Sequence, residues 1–156
     1  MKELKITSNA FKNNGLIPAK YTCDGNNMNP PLNIEGAPKE AATLVLIMDD
    51  PDIPQFVKEK FGIEVWNHWV VFNIPTNVTR ISEGCNPPGI LGKNTRNENV
   101  YTGPRPPDRE HRYFFKVYAL DTKLDIDKNS TKQDVERAMK DHIIAKGELI
   151  GLYKRH

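Results

Sequence analysis

Three short apolar runs constrain this chain more than any other feature. Thr43 to Met48 (TLVLIM), His68 to Ile74 (HWVVFNI) and Tyr113 to Leu120 (YFFKVYAL) are rich in β-branched and aromatic residues. Each is closed off by turn-formers: DDPD after the first, Ile74-Pro75-Thr76-Asn77 after the second, GPRPPDRE before the third. Runs this short with such flanks predict strands, and the unbroken apolar character of the first two predicts burial on both faces. Between them lie loop-forming stretches, Asn13-Asn14-Gly15, Asp24-Gly25-Asn26-Asn27, Asn86-Pro87-Pro88-Gly89 and the long tract from Asn94 to Pro107. Long ordered loops tend to carry function.

Helix signals are few and late. Ser130 and Thr131 cap a segment, TKQDVERAMKDHIIAKG, in which Val135, Met139, His142 and Ile143 share an apolar face, so a helix is expected there with His142 in the core and Gly147 as its stop. A second short helix is expected over Gln55 to Phe61, and Glu148 to Tyr153 (ELIGLY) reads as a last strand. No internal repeat appears. Residues 1–156 therefore form one mostly β domain, a two-sheet antiparallel β-sandwich with one or two peripheral helices.

Charge narrows the function. Lys and Arg number 22 against 20 Asp and Glu, a formal charge of +2 with no block of five like charges, so nucleic acid is not an expected partner. The N-terminal ten residues lack the apolar core of a secretory signal, and the longest clean apolar run, Leu44 to Met48, is too short to cross a bilayer. A cytoplasmic protein without a transmembrane segment is expected. Cys23 and Cys85 are the only cysteines, and free thiols are favoured over a bridge.

Polar chemistry gathers at strand ends. With side chains alternating along a strand, Asp50 follows Leu44, Leu46 and Met48 on one face, and His111 and Tyr113 share a face with Phe115 and Val117. His68 opens the second strand, on a face expected to continue through Val70 and Phe72. Each of these residues also has a plain structural reading: edge histidines are commonly satisfied within the fold, and Asp50-Pro51-Asp52 is a turn-former on local grounds alone.

The motifs DDPDIP (Asp49 to Pro54), NHWVVFNIP (Asn67 to Pro75) and YTGPRPPDREHRYFFKVYALD (Tyr101 to Asp121) resemble the signature blocks of the phosphatidylethanolamine-binding protein family, also called Raf kinase inhibitor proteins. YTCDGNNMNPPL and AKGELIGLY resemble further blocks of its prokaryotic branch. The resemblance implies a small anion-binding pocket at one end of the larger sheet, falling on Asp50, Asp52, His68, Gly103, Pro104, His111 and Tyr113. In that reading imidazole N–H groups and a phenol donate to a phosphate or carboxylate, Gly103 allows close approach and Pro104 stiffens the loop. Asp50 orients a histidine, and Asp52 serves loop architecture or a ligand's amine. The family commonly has Gly where this chain has Arg109, so a strained or altered turn is expected there.

Two functions from different classes follow. The first is a non-catalytic binding protein needing no cofactor, with a small anionic ligand and a protein target such as a serine protease or kinase; the resemblance also implies association of two copies as a homodimer. The second is a small hydrolase or metal-dependent enzyme built on Asp50, His68 and His111, with Cys23 or Cys85 as a further nucleophile. Against it, the chain has no H-E-x-x-H and no G-x-S-x-G, and Ser8, Ser82 and Ser130 lie outside the pocket motifs.

Overall fold

The computed structural model describes residues 1–155; His156, which the sequence gives no role, lies outside the described residues. The strands are β1 (Lys2–Glu3), β2 (Lys5–Thr7), β3 (Gly15–Leu16), β4 (Leu32–Glu35), β5 (Thr43–Asp50), β6 (Trp66–Ile74), β7 (Arg80–Ile81), β8 (Ile90–Leu91), β9 (His111–Leu120) and β10 (Ile143–Tyr153). Helix α1 (Gln55–Phe61) follows β5, helix α2 (Lys132–Met139) precedes β10, and one 3-10 turn spans Ala19–Tyr21. The three apolar runs are strands, as expected, and all three, not only the first two, lie in the middle of the larger sheet.

The larger sheet runs β1-β10-β9-β5-β6-β8, with β3 also on β10, and faces a small sheet, β2-β4-β7. All eight residues of β5 are buried, because both of its faces are covered. On one face Leu44, Leu46 and Met48 pack with Ile6, Leu32, Ile34 and Ile81 of the small sheet. On the other, Val45 and Ile47 pack with Leu124, Val135 and Met139 beneath α2. The long strands are antiparallel as expected. The two-residue strands β1 and β3 instead lie parallel to β10. They arrive along loops and need only a few hydrogen bonds to cover an edge that would otherwise be open.

Helix α2 begins where the sequence places it. Thr131 and Asp134 form a reciprocal capping box. It ends eight residues before the expected stop. Asp141 takes a left-handed φ of 68° and turns the chain, so that Ile143 starts an eleven-residue strand paired along β9. Gly147 is inside that strand. A Cβ there would lie 2.1 Å from the Leu4 carbonyl oxygen, so the glycine serves the close passage of the chain after β1, not a helix terminus. His142 is correspondingly outside the core: it sits in the turn, half-exposed, with its ring Nδ1 2.8 Å from Asp121 Oδ1.

Candidate functional site

Antiparallel pairing decides where the site lies. Because β5 runs opposite to both neighbours, its last residue, Asp50, meets the first residues of β6 and β9 at one end of the sheet. Alternation along β9 turns His111 and Tyr113 to the inter-sheet face. His68 reaches that face by another route. Met48 pairs with Trp69 and Asp49 with Asn67, which leaves His68 as the extra residue of a β-bulge. The bulge reverses the alternation, so His68 and Trp69 both serve the inter-sheet side, while Val70 and Phe72 belong to the opposite core. The expected continuity of His68 with Val70 and Phe72 is therefore incorrect. The His68 ring instead stands edge-on to Tyr113, centroids 5.4 Å apart.

These residues border a cavity of about 500 Å³. Asp50, His68, Gly103, His111 and Tyr113 are on its wall; Asp52 and Pro104 are not. Ile53, Val57 and Phe61 from the α1 side, with Trp66 and Val100, supply apolar lining, and Arg96 and Glu98 add charge beside them. The loop carrying Gly103 is fixed from several sides. Thr102 N–H donates to the His68 carbonyl, Gly103 N–H donates to Asn27 Oδ1 at 2.7 Å, and the Tyr101 hydroxyl donates to the Tyr21 carbonyl at 2.7 Å. A Cβ on Gly103 would come within 2.4 Å of the Tyr21 carbonyl oxygen, so close approach of two backbones requires glycine.

The hydrogen bonds define what the wall offers. His68 Nδ1 donates to the Thr102 carbonyl at 2.8 Å, and Nε2 has no partner. Burial pushes the His68 imidazole below its usual range, against the opposing pull of Asp50, so the ring is neutral near pH 7 with a bare Nε2. The Tyr113 hydroxyl is also buried without a partner. Burial, with the charge of Asp50, raises the phenol far above its ordinary range, so it stays protonated and is a donor. His111 is different: Nδ1 meets Asp50 Oδ2 at 2.7 Å and Nε2 meets Asp108 Oδ1 at 2.6 Å. Two carboxylates require both ring nitrogens to donate, which makes this an imidazolium. Burial opposes that charge, but the two carboxylates outweigh it and the pKa is raised.

The donor set thus differs from the expected one. Neither imidazole has a spare N–H, because Thr102, Asp50 and Asp108 take them. Asp50 does hold His111, and its other oxygen accepts from Asp52 N–H at 2.8 Å. Asp52 is tied to Arg112, accepting from its Nε at 2.9 Å, its terminal nitrogen at 2.8 Å and its backbone N–H at 2.8 Å. Among the described residues, positive φ outside glycine occurs at Asn14, Asn27, Asn73, Asn97 and Asp141. Arg109 is not strained.

Two contributors escape the sequence reading. Asn27 carries the acceptor for Gly103, and Asp108 covers His111. The second had a signal, an acid three residues before the histidine on a proline-rich turn. Among the described residues no group of three or more His, Cys, Asp or Glu is arranged to hold a metal ion. Cys23 and Cys85 are both free thiols. Cys23 borders the cavity, and burial with the neighbouring Asp24 raises its pKa, which disfavours the reactive thiolate. No helix among the described residues is long and apolar enough to cross a membrane.

A two-sheet β-sandwich with Asp, His and Tyr converging at one end of its larger sheet defines a recognisable class of protein. The family model for phosphatidylethanolamine-binding protein matches residues 7–154, and the chain belongs to that family. A UPF0098 protein of Methanothermobacter thermautotrophicus is 44% identical over 158 residues, spanning 97% of this chain and 99% of that one. The crystal structure of a phosphatidylethanolamine-binding protein homologue from Chlamydia trachomatis superposes with a TM-score of 0.93 at 41% identity, covering 100% of both chains. YbcL of E. coli, described as a new member of the mammalian PEBP family, gives a TM-score of 0.86 at 29% identity and covers 99% of each.

Proposed function

We propose that this protein is a non-catalytic binding module that holds a phosphate or carboxylate oxyanion in the cavity at the end of its larger sheet, and through that ligand or a neighbouring loop acts on a protein target such as a serine protease or kinase. The observation that carries the reading is the pair of orphaned polar atoms, Tyr113 Oη and His68 Nε2. Buried polar groups are rarely left unpaired, and a ligand is a reason to leave two on one cavity wall. Tyr113 donates to an oxyanion as it stands. His68 does so once protonated, or accepts from a ligand that carries its own proton.

The magnitudes favour a larger ligand than a bare ion. Two hydrogen bonds to a charged group contribute about 1.5–3 kcal/mol each, against an association cost of about 4–15 kcal/mol. Together they leave at best about 2 kcal/mol, so free phosphate binds more weakly than about millimolar, which takes about −4 kcal/mol. Further affinity has to come from ligand packed against Phe61, Trp66 and Val100. Saturated on both nitrogens, His111 has no lone pair for general-base work, and this favours binding over the hydrolase reading. A reducing cytoplasm, with Cys23 and Cys85 as thiols, and a homodimer complete the reading.

Calorimetric titration with inorganic phosphate between about pH 5 and 8 tests it. Each bound anion draws a proton to the His68 site, so affinity declines as pH rises above the pKa of the free His68 imidazole, which burial holds below its usual range. Affinity independent of pH removes histidine from the recognition. Incubation with chymotrypsin-like and subtilisin-like proteases tests the target, and undiminished protease activity at micromolar protein removes the protease version.

A further inference from the structure

His111 is the buried cation of this site, and its outward nitrogen is already taken by the chain itself. Asp108 Oδ1 lies 2.6 Å from Nε2. None of the His111 side chain is exposed, whereas 34% of the Asp108 side chain is, so the carboxylate stands between the ring and water. Asp108 follows Pro107, which borders the cavity, on the turn leading into β9. A carboxylate on an imidazolium N–H is the contact an anionic ligand would make there.

We infer that Asp108 is a tethered competitor for the oxyanion site, which excludes free carboxylates and admits phosphoryl groups by exchange at His111 Nε2. The inference rests on the anion-binding reading above and decides between the two ligand chemistries that reading leaves open. A carboxylate held three residues from its partner acts at an effective concentration of about millimolar or above. An untethered monocarboxylate offers the same chemistry without that advantage and loses. A phosphoryl group carries more charge and a third oxygen, which is available to the unpartnered Tyr113 hydroxyl on the same wall.

Charge points the same way. Asp50, His111 and Asp108 together are net negative and repel an incoming anion, whereas Asp50 and His111 alone are neutral. The displaced carboxylate has somewhere to go. Arg109 Nε is 3.8 Å from Asp108 Oδ2, on a side chain 61% exposed. Arg105 borders the cavity and adds a cation beside the ligand.

The test is titration of the whole protein and its Asp108→Ala and Asp108→Asn variants with inorganic phosphate, phenyl phosphate and acetate, with thermal melting of each. The unaltered protein is expected to take the phosphates and ignore acetate. Asp108→Ala is expected to bind phosphate at least about tenfold more tightly and to acquire acetate binding, since one charge-assisted hydrogen bond is vacated. Asp108→Asn, which keeps an acceptor but loses the charge, falls between. Tighter binding of phenyl phosphate assigns the phosphoryl group to an ester with an apolar arm, and tighter binding of inorganic phosphate assigns it to the free ion; both support exchange. Phosphate affinity that is unchanged or weaker in both folded variants, with acetate still ignored, overturns the competitor role while anion binding stands. Absence of phosphate binding in all three proteins overturns the anion reading and this inference with it.

Discussion

Single atoms carry the site, and two of them are open to direct test. Tyr113→Phe removes the orphaned hydroxyl and nothing else. Phosphate affinity is expected to fall about tenfold or more by calorimetry, with a melting temperature unchanged or higher, because a buried polar group without a partner is lost. A large fall in melting temperature would make the hydroxyl structural. His68 and His111 shape stability against pH in opposite senses. The folded pKa of His68 is lowered by burial, so its contribution is present above about pH 6.5 and lost as pH falls below it. That of His111 is raised by Asp50 and Asp108, so its contribution is full below about pH 6.5 and lost as pH rises through the folded pKa. Melting temperatures should therefore peak near neutrality, and His68→Asn should flatten the acid side down to about pH 5. At this scale Asp50, His111 and Tyr113 are legible from strand alternation alone. The direction of His68 is not, because a bulge is a property of pairing between two strands, and neither strand's sequence contains it.

Among the elements, strands read more clearly than ends of elements. The runs at β5, β6 and β9 are visible because each is apolar and bounded by turns, and the span of α1 follows from Pro54 before it and Gly62 after it, at a left-handed φ of 65°. The end of α2 is invisible for a physical reason. Ile143, Ile144 and Ala145 fit a helix face as well as a strand, and pairing with β9 settles the matter. Gly147 then reads as a cap when it is a crossing point. Gly103 is the crossing point that matters for the site. Gly103→Ala forces a Cβ against the Tyr21 carbonyl and Asn27 Oδ1, and overpacking of this kind costs about 1–3 kcal/mol. The expected outcome is a lower denaturant midpoint together with weaker phosphate binding; stability and binding both unchanged would mean that the loop is free to move.

The whole molecule is a sheet covered on both faces, and the smaller cover is what the sequence hides best. Strands β2, β4 and β7 have two to four residues each and pair across long stretches of chain, leaving no local period to detect. The helical cover is held by charge as well as by Val135 and Met139. Asp49, 2% exposed, lies 3.0 Å from both Lys116 and Lys132, bridging β9 and α2. Asp49→Asn leaves two lysines without their counter-charge, and a loss of about 3–5 kcal/mol, the range for breaking a buried pair, is the expected upper bound by urea unfolding. Protection of α2 amides from hydrogen exchange should drop with it. The central claim is that residues from three strands and one loop enclose a single oxyanion. A crystal of the protein grown with phenyl phosphate tests this most directly. The phosphoryl group should lie within hydrogen-bond distance of Tyr113 Oη and His68 Nε2, with Asp108 turned from His111 toward Arg109. A cavity without the phosphoryl group at saturating ligand, with Asp108 still on His111, would contradict the account.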